Sequence, residues 1–208
     1  MFLKPETLNP AIADDAPQSV DQAAIQCETL LARLKDRDPD AFDEMVMQKA
    51  PELQRLVSRL LGWDSACEDV VQEVFVTAWE KIDRFRGESS INTWLYSIAI
   101  NQCRKVRRKR GRWRKTFQRL CERQLANTQV IDLEQKTDPT VAAIHKAVNE
   151  LNQRDREVIV LCSLEGKTID EAGTLLGIRK NTLEVRLHRA RKRLKQLLKT
   201  SIEDQQKS

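Results

Sequence analysis

The 208-residue chain is 40% hydrophobic and 32% charged with only six Gly and six Pro, a balance that favours an all-α fold in one or two small domains over a β-sandwich or barrel. Its net charge of +5 hides an asymmetry: residues 1–103 carry ten Lys/Arg against eighteen Asp/Glu, and residues 104–208 carry twenty-six against thirteen, so the basic half suits a polyanion, nucleic acid first. Two His and five Cys (27, 67, 103, 121 and 162) without a CxxC pair offer no metal-ligand spacing, no cofactor motif is present, and no apolar run approaches the roughly 20 residues of a membrane span.

Residues 1–22 hold three Pro and several acids and read as a disordered tail. They lack the basic start and apolar stretch of a signal peptide, so an intracellular, cytoplasmic protein is expected. The first domain is expected over 23–111. Ile25, Leu30, Leu31 and Leu34 recur at helical steps. Asp38-Pro39 supplies a cap and first-turn proline for a second helix ending near Leu61, with Gly62 as its stop. Asp64 or Ser65 can cap a third helix ending near Asp83. Its apolar face is Val70, Val71, Val74, Phe75, Ala78 and Ile82, and Asp69, Gln72, Glu73 and Glu80 fall on another face. That strip reads as a solvated face or as a docking surface for a basic protein. No His, Cys or Gly-rich loop accompanies it, so catalysis is not expected.

The stretch RFRGESSINTWLY follows, with Phe85, Trp94 and Tyr96 among only ten aromatics in the chain. A fourth helix is expected from about Ser90, with Ile91, Leu95 and Ile98 inward. The spacing places Trp94 with the core and leaves Tyr96 exposed. The helix runs into Arg104–Lys115, where nine of twelve residues are Lys or Arg. Like charges this dense repel without a counter-charge, so Arg104, Lys105, Arg107, Arg108 and Arg110 read as phosphate contacts. Tyr96 beside them is a candidate for stacking on an unpaired base. Residues 112–139 read as a flexible linker, with a boundary at Asp138-Pro139.

The second domain is expected over 140–200, leaving 201–208 as a tail. Val141, Ile144 and Val148 suggest one helix to Leu151, and Asp155 starts another through REVIVLCSLEG. TIDEAGTLLG is a short helix capped by Thr168 and stopped by Gly177. The run TIDEAGTLLGIRKNTLEVRLHRA fits a helix-turn-helix, with Ala172 and Gly173 small where the second helix crosses. Leu183 and Leu187 then point inward. Arg179, Lys180, Asn181, Thr182, Glu184, Val185, Arg186, His188 and Arg189 belong to the helix that can enter a major groove about 12 Å wide. Arg191, Lys192, Arg193 and Lys195 can hold phosphates.

Three segments, DPDAFDEMVMQKAPELQRLVSRLLG, EDVVQEVFVTAWEKIDRFRGESSINTWLYSIAINQCRK and LNQRDREVIVLCSLEGKTIDEAGTLLGIRKNTLEVRLHRARKRL, together resemble the extracytoplasmic-function (ECF) sigma factors, bacterial RNA polymerase initiation subunits. The resemblance covers roughly 23–110 and 140–198. It implies that Asp69, Gln72 and Glu73 dock on the clamp helices of core polymerase. It implies that Phe85, Arg86, Gly87, Glu88, Ser89 and Ser90 form the loop capturing a flipped −10 base, with Asn101 at a pocket position and Trp94 and Tyr96 in the melting segment. The helix from Lys180 would read the −35 element, and residues 112–138 would thread toward the RNA exit path. An anti-sigma factor joins core polymerase and promoter DNA as a candidate partner. The sequence departs from the family at Ala172-Gly173 and at Glu184-Val185. Glycine at 173 costs about 1 kcal/mol of helix propensity, and Glu184-Val185 suggests an unusual −35 preference. A helix-turn-helix regulator acting without polymerase, and an RNA-binding protein using its arginines, are the rival readings.

Overall fold

The computed structural model describes residues 29–62, 65–121 and 139–205, the side chains of 113–121, 139–142 and 201–205 excepted. The expected N-terminal tail, the cap candidate Asp64 and most of the expected linker lie outside the described residues. All regular structure among the described residues is helical, in keeping with the all-α expectation. Helix α1 includes residues 29–35. It is followed by α2 (Pro39–Leu61), α3 (Cys67–Lys81), a 3-10 turn (Ile82–Arg84), α4 (Ile91–Cys121), α5 (Pro139–Glu150), α6 (Gln153–Ile159), a π turn (Val160–Leu164), α7 (Ile169–Leu176) and α8 (Lys180–Gln205).

The chain forms two compact units that divide within α2, after Met45. In the smaller unit Leu30, Leu34, Ala41 and Met45 are buried. Asp38 starts α2 as the sequence suggests: its Oδ1 accepts from the Asp40 amide at 2.9 Å. Arg33 reaches its other oxygen at 2.7 Å and holds the Asp38 carboxyl below its ordinary range.

The larger unit begins at Val46. Its first core joins Leu53, Leu56, Val57 and Leu60 of α2, the apolar face of α3, and Ile91, Leu95, Ala99 and Ile100 of α4. Every residue expected on the apolar face of α3 is buried. The helix starts after Ala66 rather than after Asp64 or Ser65, and Ala66 supplies no side-chain cap. Glu68 and Asp69 in the first turn suit the positive end of the helix dipole instead. The fourth helix continues to Cys121, well past the point where the sequence suggests a linker. Arginine and lysine are good helix formers, so a basic run extends a helix even while its charges repel.

The second core packs α5, α6 and α7 on α8. Leu183, Leu187 and Ala190 are buried on α8, as are Ala147 and Val148 of α5 and Val158 and Ile159 of α6, the two helices it packs against. Asn152 caps α6 by accepting from the Asp155 amide at 3.0 Å. Fully burying each of the Val, Leu and Ile side chains contributes about 1.5–3 kcal/mol.

Candidate nucleic-acid interface

Helix α3 turns Asp69, Gln72, Glu73 and Glu80 outward, the strip that the sequence places there. Val76 lies in the same strip and is 51% exposed, a large apolar side chain set among carboxylates. Reading charges alone passed over it, although its offset of seven from Asp69 is helical. Beside the strip runs an open groove of about 470 Å³. Asp69, Val70 and Glu73 form one wall, and Gln102, Val106, Lys109 and Arg110 of α4 form the other. Buried Gln102 donates to Thr77 Oγ1 at 2.9 Å and tethers α4 to α3.

The loop between the 3-10 turn and α4 exposes Arg86, Gly87, Glu88, Ser89 and Ser90. Gly87 sits at φ +77, where a side chain is strained. Ser90 has a structural duty: its Oγ accepts from the Thr93 amide at 3.2 Å and caps α4. Phe85, expected within the exposed loop, is buried with its ring centroid 5.2 Å from that of Trp94, so it anchors the loop from below. Trp94 is half-buried. Tyr96, expected to be exposed, is only 5% exposed. Its hydroxyl donates to Glu165 at 3.3 Å, and the Lys167 ammonium sits 5.0 Å over its ring. Burial and the Glu165 charge raise the phenol above its ordinary value. Asn101 is exposed on α4.

The basic row divides. Lys105, Arg108 and Arg110 are exposed. Arg104 instead forms a two-pronged pair with buried Glu157 of α6, at 2.9 and 2.7 Å. Hydrogen bonding to that carboxylate raises its guanidinium pKa. Arg107 turns inward to donate to the Leu60 carbonyl at 2.9 Å, and burial lowers its pKa. Arg156 of α6, 3% exposed, donates to the same carbonyl at 3.2 Å, to Leu151 at 3.4 Å and to the Asn149 carbonyl. Burial and nearby Arg107 push it down to about 10. Arg59 of α2 completes this seam, donating to Glu165 at 2.6 Å and to the Leu164 carbonyl at 3.1 Å. The partners lie far apart in the chain, so no short-range pattern announced the seam. One signal existed: Arg156 and Glu157 precede Val160 and Leu161 by a helical turn, on the buried side.

In the helix-turn-helix, Thr168 and Glu171 form a reciprocal capping box. The Thr168 amide and hydroxyl each donate to the Glu171 carboxylate at 2.8 Å and hold its pKa down. Gly177 ends α7 in the left-handed region, at φ +68. Ala172 and Gly173 are buried where the turn folds back, with the Ile178 amide donating to the Gly173 carbonyl at 3.0 Å. A methyl at Gly173 would stand 3.0 Å from the Ile178 carbonyl oxygen, which accounts for glycine there despite its low helix propensity. Arg179, Lys180, Asn181, Thr182, Glu184, Val185, His188, Arg189, Arg191 and Arg193 are exposed, and Arg186 is half-buried. Val185 is 52% exposed. Lys180 meets Asp170 at 3.3 Å.

Cys67 and Cys103 are buried, and burial pushes the Cys103 thiol up to about 12. Among the described residues no His, Cys, Asp and Glu group could hold a metal ion, and no helix is long and apolar enough to cross a membrane.

The larger unit carries both a helix-turn-helix and an acidic helix beside a polar loop. Residues 45–113 match the Sigma-70 region 2 model and residues 142–194 match that of Sigma-70, region 4. The RNA polymerase sigma factor NccH of Alcaligenes xylosoxydans xylosoxydans is 29% identical, over 84% of this chain and 95% of its own. The ECF RNA polymerase sigma factor SigW of Bacillus subtilis (strain 168) is 29% identical, over 81% and 95%. The solved sigma factor RpoE from Bartonella quintana, in complex with the anti-sigma factor NepR, is 29% identical with a TM-score of 0.62, covering 76% of this chain and 96% of that one. The chain belongs to the sigma-70 family of RNA polymerase sigma factors, in its ECF group. Sigma factors of this family bind core polymerase and promoter DNA, and they are not enzymes in general.

Proposed function

We propose a division of labour among these surfaces during promoter-dependent initiation. Asp69, Gln72, Glu73 and Glu80, with Val76 as an apolar anchor, dock on core polymerase. An exposed valine ringed by carboxylates calls for a partner surface with an apolar contact flanked by cations. Arg86, Gly87, Glu88 and Ser89, held up by the Phe85–Trp94 pair, receive an extruded −10 base, and Asn101 lies at the family's pocket position. Extruding a base costs a few kcal/mol, which polar loop atoms and stacking at about 1–3 kcal/mol per base offset. Lys105, Arg108, Arg110, Arg191 and Arg193 hold phosphates. Lys180, Asn181, Glu184, Val185, His188 and Arg189 face the −35 groove. Glu184 suits a cytosine amino group and Val185 a thymine methyl.

The observation that supports this most is the pairing, within one chain of the family, of an outward acidic strip carrying Val76 with an outward polar face on the second helix of the helix-turn-helix. The chain works in the bacterial cytoplasm. An anti-sigma factor is a fitting partner, since the relative RpoE is held by one. The test mixes purified protein, core RNA polymerase and a promoter library. Promoter-dependent transcripts that vanish on charge reversal at Asp69 and Glu73 support the reading. Their absence with folded protein overturns it, and a regulator that binds duplex DNA alone then takes its place.

A further inference from the structure

We propose that Asp170 is a positioning residue for base reading: it holds the Lys180 ammonium against α7 and so leaves the Glu184 carboxylate free to accept from a base in the −35 groove. This rests on the reading above that the outward face of α8 meets that groove.

Lys180 and Glu184 stand four residues apart in the first turns of α8, a spacing at which side chains share a face and opposite charges pair. Of the residues three or four positions from Glu184, Lys180 is the permanent cation, the others being Asn181, Leu187 and His188. Left to itself, this lysine would sit on the carboxylate. The structure sends it elsewhere. Lys180 Nζ lies 3.3 Å from Asp170 Oδ2, across the turn of the helix-turn-helix. Both side chains line an open cleft of about 450 Å³ that also takes in Thr174 and Arg179. Glu184 is exposed and makes no ion pair among the described residues. The Asp170 carboxylate is not used in capping α7. Glu171 closes the capping box with Thr168, and the Thr174 hydroxyl donates to the Asp170 backbone carbonyl at 3.0 Å. A lysine ammonium and a base amino group compete for the same carboxylate oxygens, so drawing Lys180 to Asp170 keeps Glu184 available to the base. An acid in the first turn of α7 also suits the helix dipole, but that role is indifferent to what stands at 180.

The test reconstitutes the full chain with core RNA polymerase. It measures competition between promoter duplexes that differ at one −35 base pair, at low ionic strength, where exposed pairs are strongest. The Asp170 and Lys180 side chains are 74% and 56% exposed, so substitutions there leave the packed core untouched. Glu184→Gln first identifies the base pair whose preference depends on Glu184. Asp170→Asn, which releases Lys180, should then reduce the preference at that base pair about twofold and leave the other −35 positions unchanged. Adding Lys180→Ala should restore the wild-type preference, because the released cation is gone. The rescue separates this role from support of α7, since a weakened helix would stay weakened in the double variant. Asp170→Asn with an unaltered preference, or a lost preference that Lys180→Ala does not restore, overturns the proposal. Tighter binding to every duplex with the preference unaltered also overturns it, the freed lysine having then gone to a phosphate. If Glu184→Gln itself alters no preference, it is the reading of the −35 face that fails, and the proposal falls with it.

Discussion

Replacing Arg156 with methionine tests how the seam is built. Arg156 is almost completely buried and serves three backbone carbonyls, on Leu60 at the end of α2, on Asn149 near the end of α5, and on Leu151 just past it. Leu60 keeps a donor in the variant, because Arg107 reaches it at 2.9 Å. Asn149 and Leu151 lose theirs, at about 1–3 kcal/mol for each buried acceptor left unpaired. Methionine also removes a buried cation whose Nε has no hydrogen-bond partner, which returns part of that loss. The net expectation is a destabilisation of about 2–4 kcal/mol, or roughly 1–2 M in urea midpoint at an m-value near 2 kcal/mol/M. Urea unfolding followed by circular dichroism reads this directly. Combining it with Arg107→Ala should cost about 1 kcal/mol more than the sum of the single changes, because only the double variant strands Leu60. A single variant within about 0.5 kcal/mol of wild type, together with an additive double, would refute the reasoning.

Three further outcomes are expected. Glu171 has its pKa lowered by its Thr168 bonds, so its contribution is complete above the ordinary value of 4.5 and is lost as pH falls through the lowered value; Glu171→Gln should flatten the acid limb of the melting-temperature profile, and an unchanged limb would count against the cap. Glu184→Lys should change which −35 base is preferred in a promoter-variant screen, and an unaltered preference would remove Glu184 from the reading face. Neutralising Arg108 and Arg110 should weaken binding evenly across sequences, whereas changes at 86–89 should shift −10 preference; the division of labour fails if both sets act alike.

The sequence made helices legible wherever a residue acts on its near neighbours. The turn of the helix-turn-helix, the Asp38-Pro39 start of α2, the buried face of α3 and the outward residues of α8 all follow from three- and four-residue spacing and from caps. Tyr96 and Arg104 went differently because their surroundings are supplied by Glu165 and Glu157, 69 and 53 residues later. Amphipathic periodicity says that one face of α4 is buried by its own domain. It says nothing of a second face covered by another part of the chain. Phe85 shows a smaller version: a loop composition of Arg, Gly, Glu and Ser suggests exposure, yet one aromatic in it must be buried to hold the loop in place.

The end of α2 has a consequence for how the protein is made. The Leu60 carbonyl receives its two donors from residues 47 and 96 positions downstream. At about 5–20 residues per second, the ribosome adds Arg156 roughly 5–20 s after Leu60. Until Arg107 and then Arg156 are added, the Leu60 carbonyl lacks these donors. The growing N-terminal half therefore waits on residues well downstream for the donors that finish its second helix.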